Sequence, residues 1–208
     1  MEQLELRWNG HACFSLTCRD FTVVFDPYED NYVPGFGPLD LEADLVLCSH
    51  GHGDHCYVQA VQIEEGGTSP FTVTEIHGFH DDAQGAKRGR NTMRIFEAEG
   101  LKVAHLGDIG CFPPEEDLEK LKGLDVCMIP VGGFYTIDAA QAKELTELLQ
   151  PRIVIPMHFR QGDLGLGAIA ELDAFTSLYP AAEVSFPGSN TLELTKDSPK
   201  GVTVLQYQ

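Results

Sequence analysis

The sequence predicts a mixed α/β fold, of the α+β kind, formed by one domain over residues 1–208. Three observations support this fold class. Apolar, β-rich runs occur throughout the chain, strands come before the first helix, and helical segments are interspersed among the later strands. With 208 residues, of which 43% are hydrophobic, the chain is long enough to bury a substantial core without disulfides.

The predicted strands are short runs rich in apolar and β-branched residues, bounded by turn residues. They cover residues 4–8, 12–18, 21–25, 44–48, 71–76, 92–98, 101–106, 125–129, 153–155, 183–186, 191–194 and 202–206. Helices are predicted at 56–63, 113–121, 138–149 and 166–178, the third opened by a capping box between Asp138 and Gln141. Residues 27–43 are rich in proline and glycine and are interpreted as a loop.

The strongest functional signal is a cluster of metal-ligating side chains directly after the apolar run 44–48. Three histidines and one aspartate fall within six residues, namely His50, His52, Asp54 and His55. Zinc, manganese and iron accept imidazole and carboxylate ligands. The glycines at 51 and 53 let the backbone fold tightly, so His50 and His52 can approach one ion. Asp54 and His55 are adjacent, so their side chains diverge and could serve a second ion.

The pattern His-x-His-x-Asp-His after a strand resembles the metallo-β-lactamase fold superfamily. The resemblance implies a four-layer αββα sandwich of the metallo-β-lactamase type. It also implies three further ligands at strand ends, in the order histidine, aspartate, histidine. The sequence offers His80, Asp108 and His158 in that order, so the resemblance covers essentially the whole chain. His77 is the alternative to His80, because side chains three positions apart in an extended chain face opposite sides.

On this resemblance the chain is expected to be a hydrolase with two divalent metal ions, zinc first, with manganese or iron also compatible. The implied ligand sets are His50, His52 and His80 for one ion, Asp54, His55 and His158 for the other, and Asp108 as a bridge. Asp54 is also the candidate catalytic group, since its carboxylate could take up a proton as water attacks the substrate.

The expected substrate is a small ester, lactone or phosphoester. Two alternatives use the same fold. One is a metal-dependent nuclease of the tRNA-processing type, and the other is a non-hydrolytic metal-binding or redox protein.

The first strands carry a second resemblance. Gly10, His11 and Ala12, followed by a strand and by Asp26, are similar to one branch of the superfamily. That branch includes L-ascorbate-6-phosphate lactonase and N-acyl-phosphatidylethanolamine phospholipase D. On this resemblance His11 and Asp26 would orient a ligand imidazole. A structural histidine and an aspartate in a turn are equally compatible with the sequence.

Residues 87–90 form the one dense basic cluster of an acidic chain. Arg88 or Arg90 could hold a phosphate or carboxylate group of the substrate, and a solvated turn is the alternative. Tyr135, which follows a diglycine turn, could line the pocket and donate a hydrogen bond to the oxygen that develops charge.

The composition argues against several other classes. A net charge of −18 disfavours nucleic acid as a partner. No apolar run reaches the roughly 18 residues that a membrane span needs, and the acidic start shows no signal peptide. We therefore expect a cytoplasmic protein without a membrane span. The six cysteines include no CxxC pair, and we expect them to be reduced. Cys48 and Cys56 flank the metal motif, which leaves a redox or ligand role open for them.

Overall fold

The computed structural model describes residues 3–64 and 67–208, which form two large β-sheets and a few short helices. The strands are β1 (Leu4–Gly10), β2 (Cys13–Cys18), β3 (Phe21–Phe25), β4 (Leu41–Ala43), β5 (Leu45–Leu47), β6 (Val61–Ile63), β7 (Thr72–Phe79), β8 (Arg90–Ala98), β9 (Leu101–His105), β10 (Val126–Pro130), β11 (Ile153–Met157), β12 (Val184–Ser185), β13 (Thr191–Leu194) and β14 (Gly201–Thr203). The α-helices are α1 (Glu115–Lys120), α2 (Ala139–Leu149) and α3 (Asp173–Thr176), with 3₁₀ turns at Val58–Ala60 and Ala181–Glu183.

The two large sheets differ in strand direction. The first has the order β13-β1-β2-β3-β5 and is antiparallel except between β3 and β5. The second has the order β12-β14-β11-β10-β9-β8-β7, with parallel pairing from β12 to β9 and antiparallel pairing from β9 to β7. Strands β4 and β6 form a separate parallel pair.

The core lies where the two sheets face each other. Phe25 of β3 and Phe96 of β8 belong to different sheets, and their ring centroids are 4.8 Å apart. His105 of β9 stacks on Phe25 with its centroid 5.4 Å away. Every residue of β10 and β11 is buried, as expected for central parallel strands. The mixed α/β fold class predicted from the sequence is confirmed.

Helix α2 begins and ends as its sequence predicts. The Gln141 backbone N–H donates to Asp138 Oδ1 at 2.9 Å, and the Asp138 N–H donates to Gln141 Oε1 at 3.0 Å. This reciprocal capping box satisfies two donors that a helix start leaves free. Ala142, Leu145 and Leu149 form the buried face of the helix.

Five strand ends meet at one edge of the molecule and position the site. Strands β9 and β11 are both parallel to β10, and β7 runs in the same direction because it is antiparallel to β8. In the other sheet β3 and β5 are parallel. The segments that follow these five strands begin with or contain the sequence-predicted residues Asp26, His50, His80, Asp108 and His158.

Two predicted helices and part of the predicted loop are wrong. Residues 56–63 form a single 3₁₀ turn and then β6, because the β-branched Val61 and Ile63 pair with Leu41 and Ala43 of β4. The same pairing makes residues 41–43 a strand, although the sequence suggests a loop over 27–43. Between 166 and 178 the α-helix covers only Asp173–Thr176, since Glu171, just before it, forms a β-bridge with Arg160 instead.

Among residues 3–64 and 67–208, no helix combines the length and the apolar character that crossing a membrane requires.

Candidate metal centre

Three histidines form a first group of donor atoms. His50 and His52 lie in the loop after β5, and His80 directly follows β7. One ring nitrogen of each lies within 4.8 Å of the others. His80 is buried, whereas His77 is exposed on β7 and belongs to none of the donor groups found among the described residues. Of the two histidines that the sequence left open, the structure brings His80 into the cluster.

A second group of donor atoms lies beside the first. His55 Nε2 and His158 Nε2 are 3.6 and 3.8 Å from Asp54 Oδ2. His11 joins this group, and all four side chains are buried. The loop after β5 therefore supplies residues to both groups, while β11 in the other sheet supplies His158.

Asp108 lies between the two groups. Its Oδ1 is 3.2 Å from His55 Nε2, and its Oδ2 is 3.2 Å from His80 Nε2 and 3.3 Å from His158 Nε2. The carboxylate thus faces both groups at once, as a bridging ligand would. Its close approach depends on Gly107, which has φ 56°. A Cβ at that position would lie 2.3 Å from Asn91 Oδ1.

Asp26 anchors one histidine of each group. His55 Nδ1–H donates to Asp26 Oδ2 at 2.7 Å. The Ser49 hydroxyl donates to the same oxygen at 2.6 Å and, in turn, accepts from His50 Nδ1–H at 2.9 Å. Since Nδ1 carries the proton in both rings, Nε2 of His50 and of His55 is left as an acceptor that faces the centre. Sequence analysis placed Asp26 near a ligand imidazole but did not identify Ser49.

Unsatisfied buried atoms test whether the centre fits a metal. Among the described residues, most of the buried side-chain nitrogens and oxygens that lack a hydrogen-bond partner belong to this centre. They are Nδ1 and Nε2 of His11 and His158, Nε2 of His50 and His55, Nδ1 of His80, and both oxygens of Asp108. Buried polar atoms normally have a partner, so this concentration of unpaired nitrogen and carboxylate atoms fits bound cations.

The charges of the centre are strongly coupled. Burial alone would raise the pKa of Asp108, but the imidazoles of His158 and His55 outweigh it and hold that pKa well below its usual range. Burial alone would lower the pKa of His158, but Asp108 and Asp54 raise it to about 9. Burial, which the surrounding charges do not offset, lowers the pKa of His50 to about 3. The carboxylates of the centre are therefore ionised and available as ligands.

A cavity of about 330 Å³ opens onto the centre. It is lined by Tyr32, His52, Asp54, His80, Arg88, Asp108, Tyr135 and Leu166. Its volume is at the lower end of the range for small-molecule sites. Arg88 and Tyr135 were proposed from the sequence, and Tyr32 lies in the loop over 27–43, whereas nothing in the sequence pointed to Leu166 as a cavity residue.

Arg88 and Arg90 have different surroundings. The Arg88 guanidinium lies 5.5 Å from the centre of the Tyr135 ring, on the wall of the cavity. Arg90 begins β8, is exposed and does not line the cavity. Of the two arginines, only Arg88 is placed to meet a molecule bound at the centre.

The loop that carries Arg88 is organised by Asp81, which the sequence analysis did not single out. The Asp81 carboxylate accepts hydrogen bonds from the backbone N–H groups of Ala83, Gly85, Lys87 and Arg88, at 2.7 to 3.0 Å. These bonds lower the pKa of Asp81 against the opposing effect of its own desolvation. Because Asp81 directly follows His80, the same turn fixes a candidate ligand and the cavity arginine.

The expectation that all cysteines are reduced is wrong for one pair. Cys48 and Cys56 form a disulfide, with Cα atoms 5.3 Å apart, and so enclose the loop that carries His50, His52, Asp54 and His55. The tight fold of this loop brings its two ends together. The other four cysteines are free.

Comparisons with known proteins agree with this geometry. A family model described as a β-lactamase superfamily domain matches residues 5–158. A UPF0173 metal-dependent hydrolase of Thermoplasma acidophilum is 31% identical over 195 residues, covering 79% of this chain and 87% of the relative. A crystal structure of a Thermotoga maritima protein of the metallo-β-lactamase superfamily is 31% identical, with a TM-score of 0.76, covering 99% of this chain and 100% of the other. The structure of human tRNase Z, short form, is 11% identical with a TM-score of 0.55, and the match covers 77% of this chain and 93% of that chain. At this identity the match shows a similar fold alone.

Fold and site define a class of protein in which two stacked sheets present histidine and aspartate side chains at one edge. The chain belongs to the metallo-β-lactamase superfamily, with the four-layer αββα sandwich that the sequence resemblance implied. Within that superfamily it is a metal-dependent hydrolase.

Proposed function

We propose that this enzyme uses two divalent ions to hydrolyse a small ester, lactone or phosphoester. The observation that carries the proposal is the position of Asp108, whose two oxygens lie 3.2 Å from histidines of different donor groups. One ion would be held by His50, His52 and His80, the other by Asp54, His55 and His158, with Asp108 shared. When bound, such a pair would lower the pKa of a water molecule to near 7 and polarise a carbonyl or phosphoryl oxygen.

The side chains of the cavity have separate tasks in this proposal. Asp54 lines the cavity and, unlike Asp108, is not shared between the two ions, so it would take up the proton of the attacking water. Tyr135 would donate a hydrogen bond from its hydroxyl group to the oxygen that gains negative charge. Neither step needs a nucleophile from the protein.

The cavity arginine supports a substrate with an anionic group. Arg88 is the one lysine or arginine among the residues that line the cavity. No carboxylate of the described residues lies within ion-pairing distance of it, although the chain has 32 acidic and 14 basic residues. A guanidinium matches a carboxylate or phosphate in planar, bidentate fashion. The substrate would therefore present such a group to Arg88 while its ester faces Asp108.

Zinc is the first choice of metal, because the donor atoms are imidazole nitrogens and carboxylate oxygens. Manganese and iron accept the same donors. For the Thermotoga maritima relative, zinc dependence is likewise a proposal. A cytoplasmic location stays a prediction of the sequence, and the Cys48–Cys56 disulfide does not favour it, since disulfides are rare in reducing compartments.

The nuclease alternative has less support. A site for RNA would need several cations along the approach to the metals, whereas the cavity presents a single arginine. The redox alternative has no separate support. The second position of the motif is a histidine, His52, which is the residue that the resemblance to the hydrolases implies there.

Metal analysis and a substrate panel test the proposal together. Purified protein would be made metal-free, reloaded with zinc, manganese or iron, and tested with lactone, phosphodiester, carboxylic ester and RNA substrates. We expect two ions per chain and metal-dependent hydrolysis of a small substrate. Cleavage of RNA alone would favour the nuclease, and protein loaded with two ions that hydrolyses none of the substrates would contradict the proposal.

A further inference from the structure

His11 is a buried histidine that the two implied ligand sets leave unused. Only 1% of its surface is exposed, and neither of its ring nitrogens has a hydrogen-bond partner among the described residues. A buried imidazole with both nitrogens unpaired is costly, because each nitrogen has lost water without a replacement. The position of His11 at the metal centre offers a partner for one of them.

The distance between His11 and Asp54 is longer than that of a hydrogen-bonded pair in the same centre. His11 Nε2 lies 3.5 Å from Asp54 Oδ2. The hydrogen-bonded pair His55 Nδ1 and Asp26 Oδ2 is much closer, at 2.7 Å. Nε2 of His50, His55, His80 and His158 lies 3.2 to 3.9 Å from the carboxylates of Asp54 or Asp108. His11 therefore has the spacing of atoms that surround a common ion.

We propose that His11 Nε2 is an eighth protein donor of the centre and binds the ion held by Asp54, His55 and His158. Its donor atom lies within 4.8 Å of those of all three. The inference rests on the proposed two-ion centre and adds to it an asymmetry in the number of ligands. The His11 side has five protein donors when Asp108 is counted, and the other side has four. An ion with five protein donors exceeds the coordination typical of zinc, so this side would suit manganese or iron better than the other side does.

The backbone holds His11 in place for this role. His11 has φ 51° and follows Gly10 with φ 111°, a conformation that turns the chain sharply between β1 and β2. The His11 carbonyl accepts from Trp8 Nε1–H at 3.0 Å and from the His158 backbone N–H at 3.4 Å. Its ring packs 4.3 Å from the ring of His158. Two hydrogen bonds thus fix the backbone of His11, and the ring packing places its imidazole beside His158, the last proposed ligand of the chain.

Cobalt binding tests the proposal without reference to turnover. Metal-free wild type, His11→Ala and His77→Ala would be titrated with Co²⁺, and affinities measured by competition with a chelator. We expect His11→Ala to bind one of the two ions at least about ten-fold more weakly and to show a changed visible absorption for that ion. His77→Ala removes an exposed imidazole near the centre and should match wild type. Wild-type affinity in His11→Ala would overturn the proposal, and so would weaker binding with an unchanged spectrum, because that result indicates a hydrogen bond to Asp54.

A second variant covers the case in which His11→Ala does not fold. His11→Gln keeps polarity and most of the volume, and its melting temperature would be measured with and without saturating Co²⁺. We expect a smaller gain in melting temperature on metal binding than in wild type, and an equal gain would overturn the proposal. Failure of this inference can be distinguished from failure of the proposed function. If only the proposed function fails, wild type binds two ions but hydrolyses none of the substrates, and the His11 variants still bind metal more weakly than wild type.

Discussion

Asp26 accepts a hydrogen bond from Nδ1 of His55 at 2.7 Å, and this single contact fixes which nitrogen of that ring can face a metal. The same carboxylate reaches His50 through the hydroxyl of Ser49. Burial would raise the pKa of Asp26, but His105 and His55 keep it below its usual value. One ionised residue of the first sheet therefore orients a histidine on each side of the centre.

Replacing this carboxylate should weaken both metal positions. We expect Asp26→Asn to reduce metal affinity about 10- to 100-fold, because residues that orient ligand imidazoles have effects of that size. Ser49→Ala should affect only the ion held by His50. Chelator competition would measure both. Asp125→Asn is the control, since the partners of Asp125 are Lys102 and Arg152, which lie outside the centre. Equal affinities in Asp26→Asn and wild type would contradict the role of Asp26.

Removing the Asp54 carboxylate should abolish turnover while the fold is largely kept. A positioned general base contributes about 10²- to 10⁴-fold to a rate, and Asp54→Ala also loses a metal ligand, so we expect kcat to fall by at least about 100-fold. Circular dichroism would check the fold. Full activity in Asp54→Ala would exclude our assignment of the second metal position.

Arg88 should affect substrates according to their charge. We expect Arg88→Met to raise KM about ten-fold or more for an ester with a carboxylate or phosphate group, because a hydrogen bond to a charged group contributes about 1.5–3 kcal/mol. KM for a neutral ester of the same size should not change. Arg90→Met removes an equal charge that lies outside the cavity and serves as the control. A parallel rise in KM for both esters would show that Arg88 does not select the anion.

Breaking the Cys48–Cys56 disulfide should loosen the loop that carries four proposed ligands. The bridge closes a short loop, with a sequence separation of 8, and we expect the double variant Cys48→Ser, Cys56→Ser to lose about 2–3 kcal/mol of unfolding free energy. Faster loss of metal to a chelator should accompany it, since the ligands would be less well ordered. Denaturant unfolding and stopped-flow chelation measure the two effects. Cys111→Ser, which removes a free thiol, is the control. An unchanged free energy of unfolding in the double variant would contradict a stabilising disulfide between Cys48 and Cys56.

Metal removal should destabilise the whole protein. Without cations the unpaired atoms of Asp108, His158 and their neighbours stay buried and unsatisfied. We expect the metal-free protein to melt at a lower temperature, with recovery on addition of one divalent ion species, because a ligand that binds only the folded state stabilises it. Calorimetry with and without chelator measures the difference, and identical melting curves would argue against a metal centre.

Much of the fold and the donor set could be predicted because local patterns specify them. Apolar β-rich runs gave most strands within one or two residues, and the capping box of Asp138 located α2. The predicted ligands lie together because each follows a strand that ends at the same edge. Their metal binding itself stays a prediction.

Other features depend on contacts that no local pattern encodes. The pairing of Cys48 with Cys56 requires the folded loop, since a spacing of eight residues is compatible with free thiols. Strand β6 forms because its partner β4 lies alongside, and this pairing between distant segments is not visible in the local sequence. The sequence resemblance placed His11 beside a ligand imidazole, but only the folded turn between β1 and β2 brings its ring within 4.8 Å of the donor atoms of Asp54, His55 and His158.

The arrangement of donors across two sheets has a consequence for how the protein matures. His50 through His55 extend from the first sheet, whereas His80, Asp108 and His158 extend from the second. A chain emerging from the ribosome holds the donors of the loop after β5 about a hundred residues before His158 is made. In the proposed two-ion centre, stable capture of both cations would therefore wait until β11 has docked, and occupancy of the centre would report that the two halves of the sandwich have assembled.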